Sequence, residues 1–225
     1  MNKPIIDNNS FDSVFSAISS SLTQMGAKMP AVSKIALIDN SPYRILASTI
    51  ISLRTRDNIT WEASNNLFEI APTIDKLYSV DEETVANAIK KCGFYLRKAN
   101  QLKRIADIVI EDWNGEIPPS EEKLMSLPGV GIKTASLVLN LSFSMDAICV
   151  DCHVHQISNR LGWVKTDKPE ETEKELKKIL PRRYWIIINE LFVMWGQNVC
   201  TPISPKCSIC PLVSTCPKIG EERTR

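Results

Sequence analysis

Four cysteines, Cys200, Cys207, Cys210 and Cys216, fall within 17 residues, and thiols crowded in this way bind metal or pair as disulfides. Upstream, the string Leu127-Pro128-Gly129-Val130-Gly131-Ile132-Lys133 places two glycines, two apart, directly before a lysine. Glycines so spaced let a tight turn form and let its backbone approach a ligand closely. The turn leaves N–H groups open at the start of the following helix, which is an anion site suited to phosphate. A bare Gly-x-Gly also fits a plain corner between helices, and a lysine beside it also fits a phosphate contact. Eighteen residues after Lys133 stands Asp151, with Val154, Ile157 and Leu161 following at helical spacing, so Asp151 sits where a helix N-cap would. His153 and His155 are the only histidines, and on a helix positions i and i+2 point about 200° apart. They cannot chelate one ion together, so a metal site of that pair with Asp151 and Cys152 is rejected.

The elements that must position these residues are helical. Phe11, Val14, Phe15, Ile18, Leu22 and Met25 share one face, as do Leu102, Ile105, Ala106, Val109 and Ile110. Ser41-Pro42 reads as a helix start, and Ser79-Val80-Asp81-Glu82 as a capping box. Gly93 and Asn114-Gly115 read as stops, and Ser120 as a cap ahead of Leu124 and Leu127. Strand-like alternation is nearly absent, and the run Ile186-Ile187-Ile188 belongs to a buried helix. About ten helices are expected, an all-α fold.

Apolar residues make up 44% of the 225, enough for a large core and too many for disorder. The opening residues lack an apolar export signal, and the stretch Tyr184–Trp195 is too short and too interrupted to span a bilayer. An unexported protein without a membrane partner is the expectation, so the clustered cysteines are read as metal ligands rather than disulfides. Net charge is only +1, and any nucleic-acid contact must therefore be local. The basic pairs are Arg54 with Arg56, Arg97 with Lys98 and Lys103 with Arg104. Each by itself suits a solvated helix face better than a phosphate contact.

With Lys133 in place, the glycine string resembles the helix-hairpin-helix of the endonuclease III branch of DNA glycosylases. Val150-Asp151-Cys152-His153-Val154 resembles that family's catalytic-aspartate segment, and Cys200-x6-Cys207-x2-Cys210-x5-Cys216 resembles its [4Fe-4S] loop. The resemblance runs from about Ser41 to Cys216. It implies a helix-hairpin-helix DNA glycosylase fold of two helical domains with a DNA cleft between them. Residues 35–145 would form a six-helix barrel, and residues 1–34 with 146–225 an iron–sulfur domain. Lys133 and Asp151 would face each other across the cleft.

The implied activity is that of a bifunctional glycosylase and AP lyase removing oxidised pyrimidines from double-stranded DNA that carries damaged bases or abasic sites. The enzyme would act as a monomer. Lys133 would form a Schiff base with the sugar, and β-elimination would cut the strand 3′ to the abasic site. Such an amine must be neutral, yet at an ordinary pKa of roughly 10.4 only about one lysine in 2,500 is neutral at pH 7. A helix N-terminus contributes about 0.3–1 kcal/mol against the cation, and a nearby carboxylate favours the ammonium. Desolvation must therefore do most of the work, which leaves Asp151 to move protons and to stabilise positive charge on the sugar.

By the same resemblance Phe94, in Gly93-Phe94-Tyr95, and Arg54 would fill the gap left by an extruded base, with His153 beside them. Phe94 after a glycine equally suits a core contact. Arg54 stands where bacterial members would have glutamine, and Gln156 where many relatives have arginine. Gly129 and Gly131 would hold a phosphate. Lys206 is the one basic residue of the loop 201–206 that would rest on the backbone. Cys200, Cys207, Cys210 and Cys216 would ligate the cluster, with zinc as the alternative. The competing functions are a mismatch or purine glycosylase, and a non-catalytic DNA-binding module that uses hairpin and cluster as a clamp.

Overall fold

A computed structural model describes residues 8–220 and 224–225. Its described residues form twelve α-helices and two single turns of 3-10 helix, and their contacts fall into two compact units.

Residues 30–147 make one unit. It contains α2 (Ala31–Ile38), α3 (Pro42–Ser52), α4 (Asp57–Ile70), α5 (Ile74–Ser79), α6 (Glu82–Ala88), α7 (Tyr95–Trp113), α8 (Glu121–Ser126) and α9 (Ile132–Phe143). Pro42 occupies the first turn of α3, where a missing N–H costs nothing. From Tyr43 to Ile51 only Arg44 escapes burial, so α3 is apolar nearly all round and becomes the central rod. Helices α2, α4, α7 and α9 pack against it. α7 stops at Asn114, in left-handed backbone, and Gly115 follows at φ +81°, as the Asn-Gly pair predicts. The capping box expected at Ser79 does not form. Ser79 ends α5 and donates back to Lys76 O, whereas Asp81 caps α6 by accepting from Thr84 N at 2.8 Å. The carboxylate sits at the residue where the backbone turns helical, and it outcompetes the hydroxyl two residues earlier. Gly93 is not a helix stop either, since α6 has ended at Ala88.

The second unit holds α1 (Asn8–Gln24), α10 (Cys152–Arg160), α11 (Pro169–Ile179) and α12 (Ile187–Asn198), followed by the cysteine-bearing segment. Phe11, Phe15, Trp163 and Phe192 form its aromatic centre, with Phe11 edge-on to Trp163 at 4.8 Å and Phe15 stacked over Phe192 at 5.7 Å. Ile188 is buried, but Ile187 faces solvent and Ile186 only precedes α12, so the isoleucine run starts a helix rather than filling one. Met25 lies beyond α1 and is exposed, outside the buried stripe. Among the described residues no helix is long and apolar enough to cross a membrane.

Candidate active site

The hairpin joins α8 to α9. Ser120 caps α8 through Lys123 N, Leu127 ends it, and Val130 N donates to Leu127 O at 3.1 Å to close the turn. Gly129 has φ +70°, and a Cβ there would lie 2.7 Å from Gln101 Nε2, which donates to Pro128 O. The left-handed backbone therefore favours glycine at 129, whereas the end of the flexible Gln101 side chain could shift for a Cβ. Gly131 differs: its φ is ordinary, and a Cβ would meet nothing within 4 Å. The chain itself gives no reason for glycine there. Gly131 is the N-cap of α9 without a side-chain cap, so the opening N–H groups of that helix are not closed by it. Lys133 is the second residue of α9, half-buried.

Arg54 and Phe94 meet within the same unit. Each has left-handed backbone, φ 52° and 58°, a strain L-residues seldom accept. The Arg54 guanidinium lies 5.7 Å from the Phe94 ring centroid. Phe94 is 62% exposed, which sets aside the core-contact alternative. Gly93 makes the approach possible, because a Cβ on it would sit 2.8 Å from Arg54 O. A groove lined by Arg54, Phe94, Arg97, Gln101 and Gly129 connects this pair with the hairpin.

Lys98, grouped from sequence with the basic surface residues, does something else. It is buried, and its Nζ donates to Ile51 O and Leu53 O at 2.7 Å and to Thr55 Oγ1 at 2.8 Å. One ammonium thus satisfies the carbonyls that end α3 and pins the Arg54 turn to α7. Burial holds its pKa below the usual lysine value. Lys103 likewise turns to backbone, donating to Leu77 O and Tyr78 O. Sequence could not show this, because an exposed and an inward lysine leave the same helical pattern.

In the other unit, Asp151 is the N-cap of α10. Its Oδ1 accepts from His153 N at 3.0 Å and Val154 N at 2.9 Å, and the residue is 8% exposed. His153 leans on α12 at Gly196, where any Cβ would run into His153 Nδ1. His155 does not join it, since its Nδ1 lies 2.6 Å from Thr172 Oγ1 on α11. The two histidines stay apart, as their spacing implies, but setting Asp151 and Cys152 aside with them as ligands needs correction. Ligand atoms of Asp151, Cys152 and His153 all lie within 4.8 Å of one another.

Cys200, Cys207, Cys210 and Cys216 line a single cavity together with Arg160, Pro205 and Lys206. Arg160 is buried and straps the segment down, donating to Thr201 O at 2.8 Å, Pro202 O at 2.9 Å and Cys200 Sγ at 3.3 Å. Gln156 sets its amide toward the same guanidinium. Burial pushes the Cys200 and Cys216 thiols up, and that of Cys210 to about 11. As free thiols these would stay protonated at neutral pH, so only a cationic guest would draw out the thiolates. Among the described residues the one group of three His, Cys, Asp or Glu donors within 4.8 Å of each other is the Asp151 trio, so these four sulfurs are set wider than that. A single zinc ion needs its sulfurs about 3.8 Å apart, as tetrahedral bonds of ~2.3 Å dictate.

Residues 47–182, more than half of the chain, match the family of HhH-GPD superfamily base excision DNA repair proteins. The chain belongs to that superfamily. It is 46% identical over 178 residues to endonuclease III of Thermotoga maritima, covering 79% of this chain and 84% of that protein. It is 42% identical over 192 residues to endonuclease III homolog 2, chloroplastic, of Arabidopsis thaliana, 80% of this chain but 49% of that one, so the chain spans about half its length. A solved endonuclease III–DNA complex, a trapped covalent intermediate with an estranged adenine, superposes with a TM-score of 0.82 at 29% identity, covering 95% of this chain and 97% of that one. Within the superfamily, the chain is a member of the endonuclease III family.

Proposed function

We propose that Lys133 is the nucleophile and Asp151 the proton carrier of a base-excision reaction on oxidised or ring-saturated pyrimidines. The chain is a bifunctional base excision repair enzyme, a DNA glycosylase and AP lyase that binds damaged DNA. The observation that best supports Lys133 is its place in the first turn of α9, directly after a hairpin whose Gly131 has no internal reason to be glycine. A phosphate held by the open N–H groups would bring the strand's sugar toward that amine. The partial burial of Lys133 favours the water exclusion that an uncharged amine needs.

The amine attacks C1′ and the base departs with the electron pair of the glycosidic bond. The amine sheds a proton and the C1′–O4′ bond breaks, with O4′ taking up a proton, to give an open-chain Schiff base that acidifies the C2′ proton; removal of that proton expels the 3′ phosphate, and hydrolysis returns the lysine. Asp151, held rigid by two backbone N–H groups, is suited to carry those protons. Phe94 and Arg54 would occupy the space vacated by the base, a base that costs a few kcal/mol to extrude. His153 and Lys206 would touch the backbone.

Cys200, Cys207, Cys210 and Cys216 would hold a [4Fe-4S] cluster, which supplies a covalent stitch for the segment around it and takes no part in bond cleavage. That no three of the four sulfurs lie within 4.8 Å of one another favours it over zinc. An enzyme that repairs DNA would act inside the cell, in cytoplasm or nucleoid. A panel of duplexes bearing saturated pyrimidines, oxidised purines or mismatches tests the substrate class. Preferential release of saturated pyrimidines supports it, and preference for purines or mismatches overturns it.

A further inference from the structure

We propose that Asp151, Cys152 and His153 form a binding site for a thiophilic divalent cation of the zinc type, and that its occupation shuts down excision. Side chains of three consecutive helical residues fan about 100° apart and do not converge. Here Asp151 precedes the helix, with φ −101° and ψ −173°, and its carboxylate folds back over the first turn to accept from His153 N and Val154 N. That fold brings carboxylate, thiol and imidazole donors within 4.8 Å of one another.

The three donors differ in how they are held, and the differences suit a ligand. Asp151 is buried and fixed by its two backbone hydrogen bonds, which leave lone pairs of the carboxylate for an ion. The His153 ring is braced against Gly196, and its Nδ1 is buried with no hydrogen-bond partner. A buried ring nitrogen without a partner is costly unless a ligand occupies it. Cys152 is exposed and gives an ion arriving from solvent its first contact. Zinc accepts this donor set, thiolate sulfur at about 2.3 Å and imidazole or carboxylate at about 2.0–2.2 Å. Those bonds put ligand atoms roughly 3.3–3.8 Å apart, so the trio has about 1 Å to close. Three protein ligands leave a fourth position for water. On binding, the Cys152 thiol releases its proton to solvent, and a carboxylate, a thiolate and a neutral imidazole together cancel the two charges of the ion.

The inhibitory half of the proposal rests on Asp151 carrying protons, because a carboxylate bound to zinc cannot do so. The binding half does not. The cluster-loaded protein is titrated with Zn²⁺ by calorimetry beside Cys152→Ser and Cys152→Thr, with the visible absorbance of the cluster followed throughout. The wild type should bind one Zn²⁺ more than either variant while the absorbance stays constant. Incision of abasic-site DNA by the wild type should fall about 10²-fold or more at saturation and recover with EDTA, as expected when a general acid–base is removed. The variants' incision should be insensitive to the same Zn²⁺. Equal stoichiometry in all three proteins, or zinc uptake that tracks bleaching of the cluster, overturns the site. An extra bound Zn²⁺ without slower incision overturns the shut-down. If the extra Zn²⁺ binds but no protein incises abasic DNA, the enzymatic reading fails and the ion site stands.

Discussion

The guanidinium of Arg54 lies over the ring of Phe94, 5.7 Å from its centroid, and both residues hold left-handed backbone to do so. Two strained residues meeting at an exposed aromatic make a rigid projection, and rigidity is what a wedge entering a base stack requires. Phe94→Ala should lower excision from lesion duplexes by about 5- to 150-fold, the equivalent of ~1–3 kcal/mol of base–aromatic stacking. Because the ring is largely exposed, the melting temperature should barely move. Equal activity of the variant would remove Phe94 from the wedge.

Lys98 holds three oxygen acceptors around the turn that carries Arg54. Lys98→Met leaves buried carbonyls without a donor and should destabilise the protein by about 1–3 kcal/mol. Burial lowers the Lys98 pKa from the ordinary 10.5, so between the lowered value and 10.5 the unfolded chain binds more protons than the folded one. Stability conferred by this residue therefore rises with pH across that window. The gap in unfolding free energy between wild type and Lys98→Met should widen as pH rises through it, measured by urea denaturation. A gap that narrows contradicts the sign.

Gly196 on α12 leaves no room for a Cβ beside His153 Nδ1. Gly196→Ala should cost about 1–3 kcal/mol through overpacking and should push the His153 ring out of place. Chemical denaturation reads the first effect. NMR of the histidine ring resonances reads the second, with an unchanged His153 signal counting against the packing described.

Removal of iron, or Cys210→Ala, should abolish visible absorbance and raise protease cutting between Val199 and Cys216, where Pro202, Pro205 and Pro211 prevent an α-helix from taking over. Lys206→Ala should lower the salt-dependence slope of DNA binding by about one unit if Lys206 touches a phosphate. A colourless wild type carrying zinc would overturn the cluster assignment.

How much of this was legible beforehand depends on which interaction decides each feature. Asp151 as an N-cap, Ser120 as a cap and Asn114-Gly115 as a stop are local signals, and the structure has all three. The cysteine spacing is also local, and it led to one cavity. Lys98 was misjudged because its acceptors come from 43 to 47 residues away, and no periodicity records which way a lysine turns. Arg160 was missed for the same reason, its acceptors lying some 40 residues downstream. The Asp151–Cys152–His153 convergence was hidden because the metal site was judged on the helical spacing of the two histidines alone, whereas the cap carboxylate folds back over the first turn. Ser79 was misread because two capping residues compete within three positions, and only the backbone turn decides between them.

Borohydride trapping on abasic-site DNA tests the central assignment most directly. The wild type should form a covalent adduct with the DNA, and Lys133→Gln should form none while still binding the duplex. An adduct that survives in Lys133→Gln would show that another amine attacks the sugar, and Lys133 would no longer be the nucleophile.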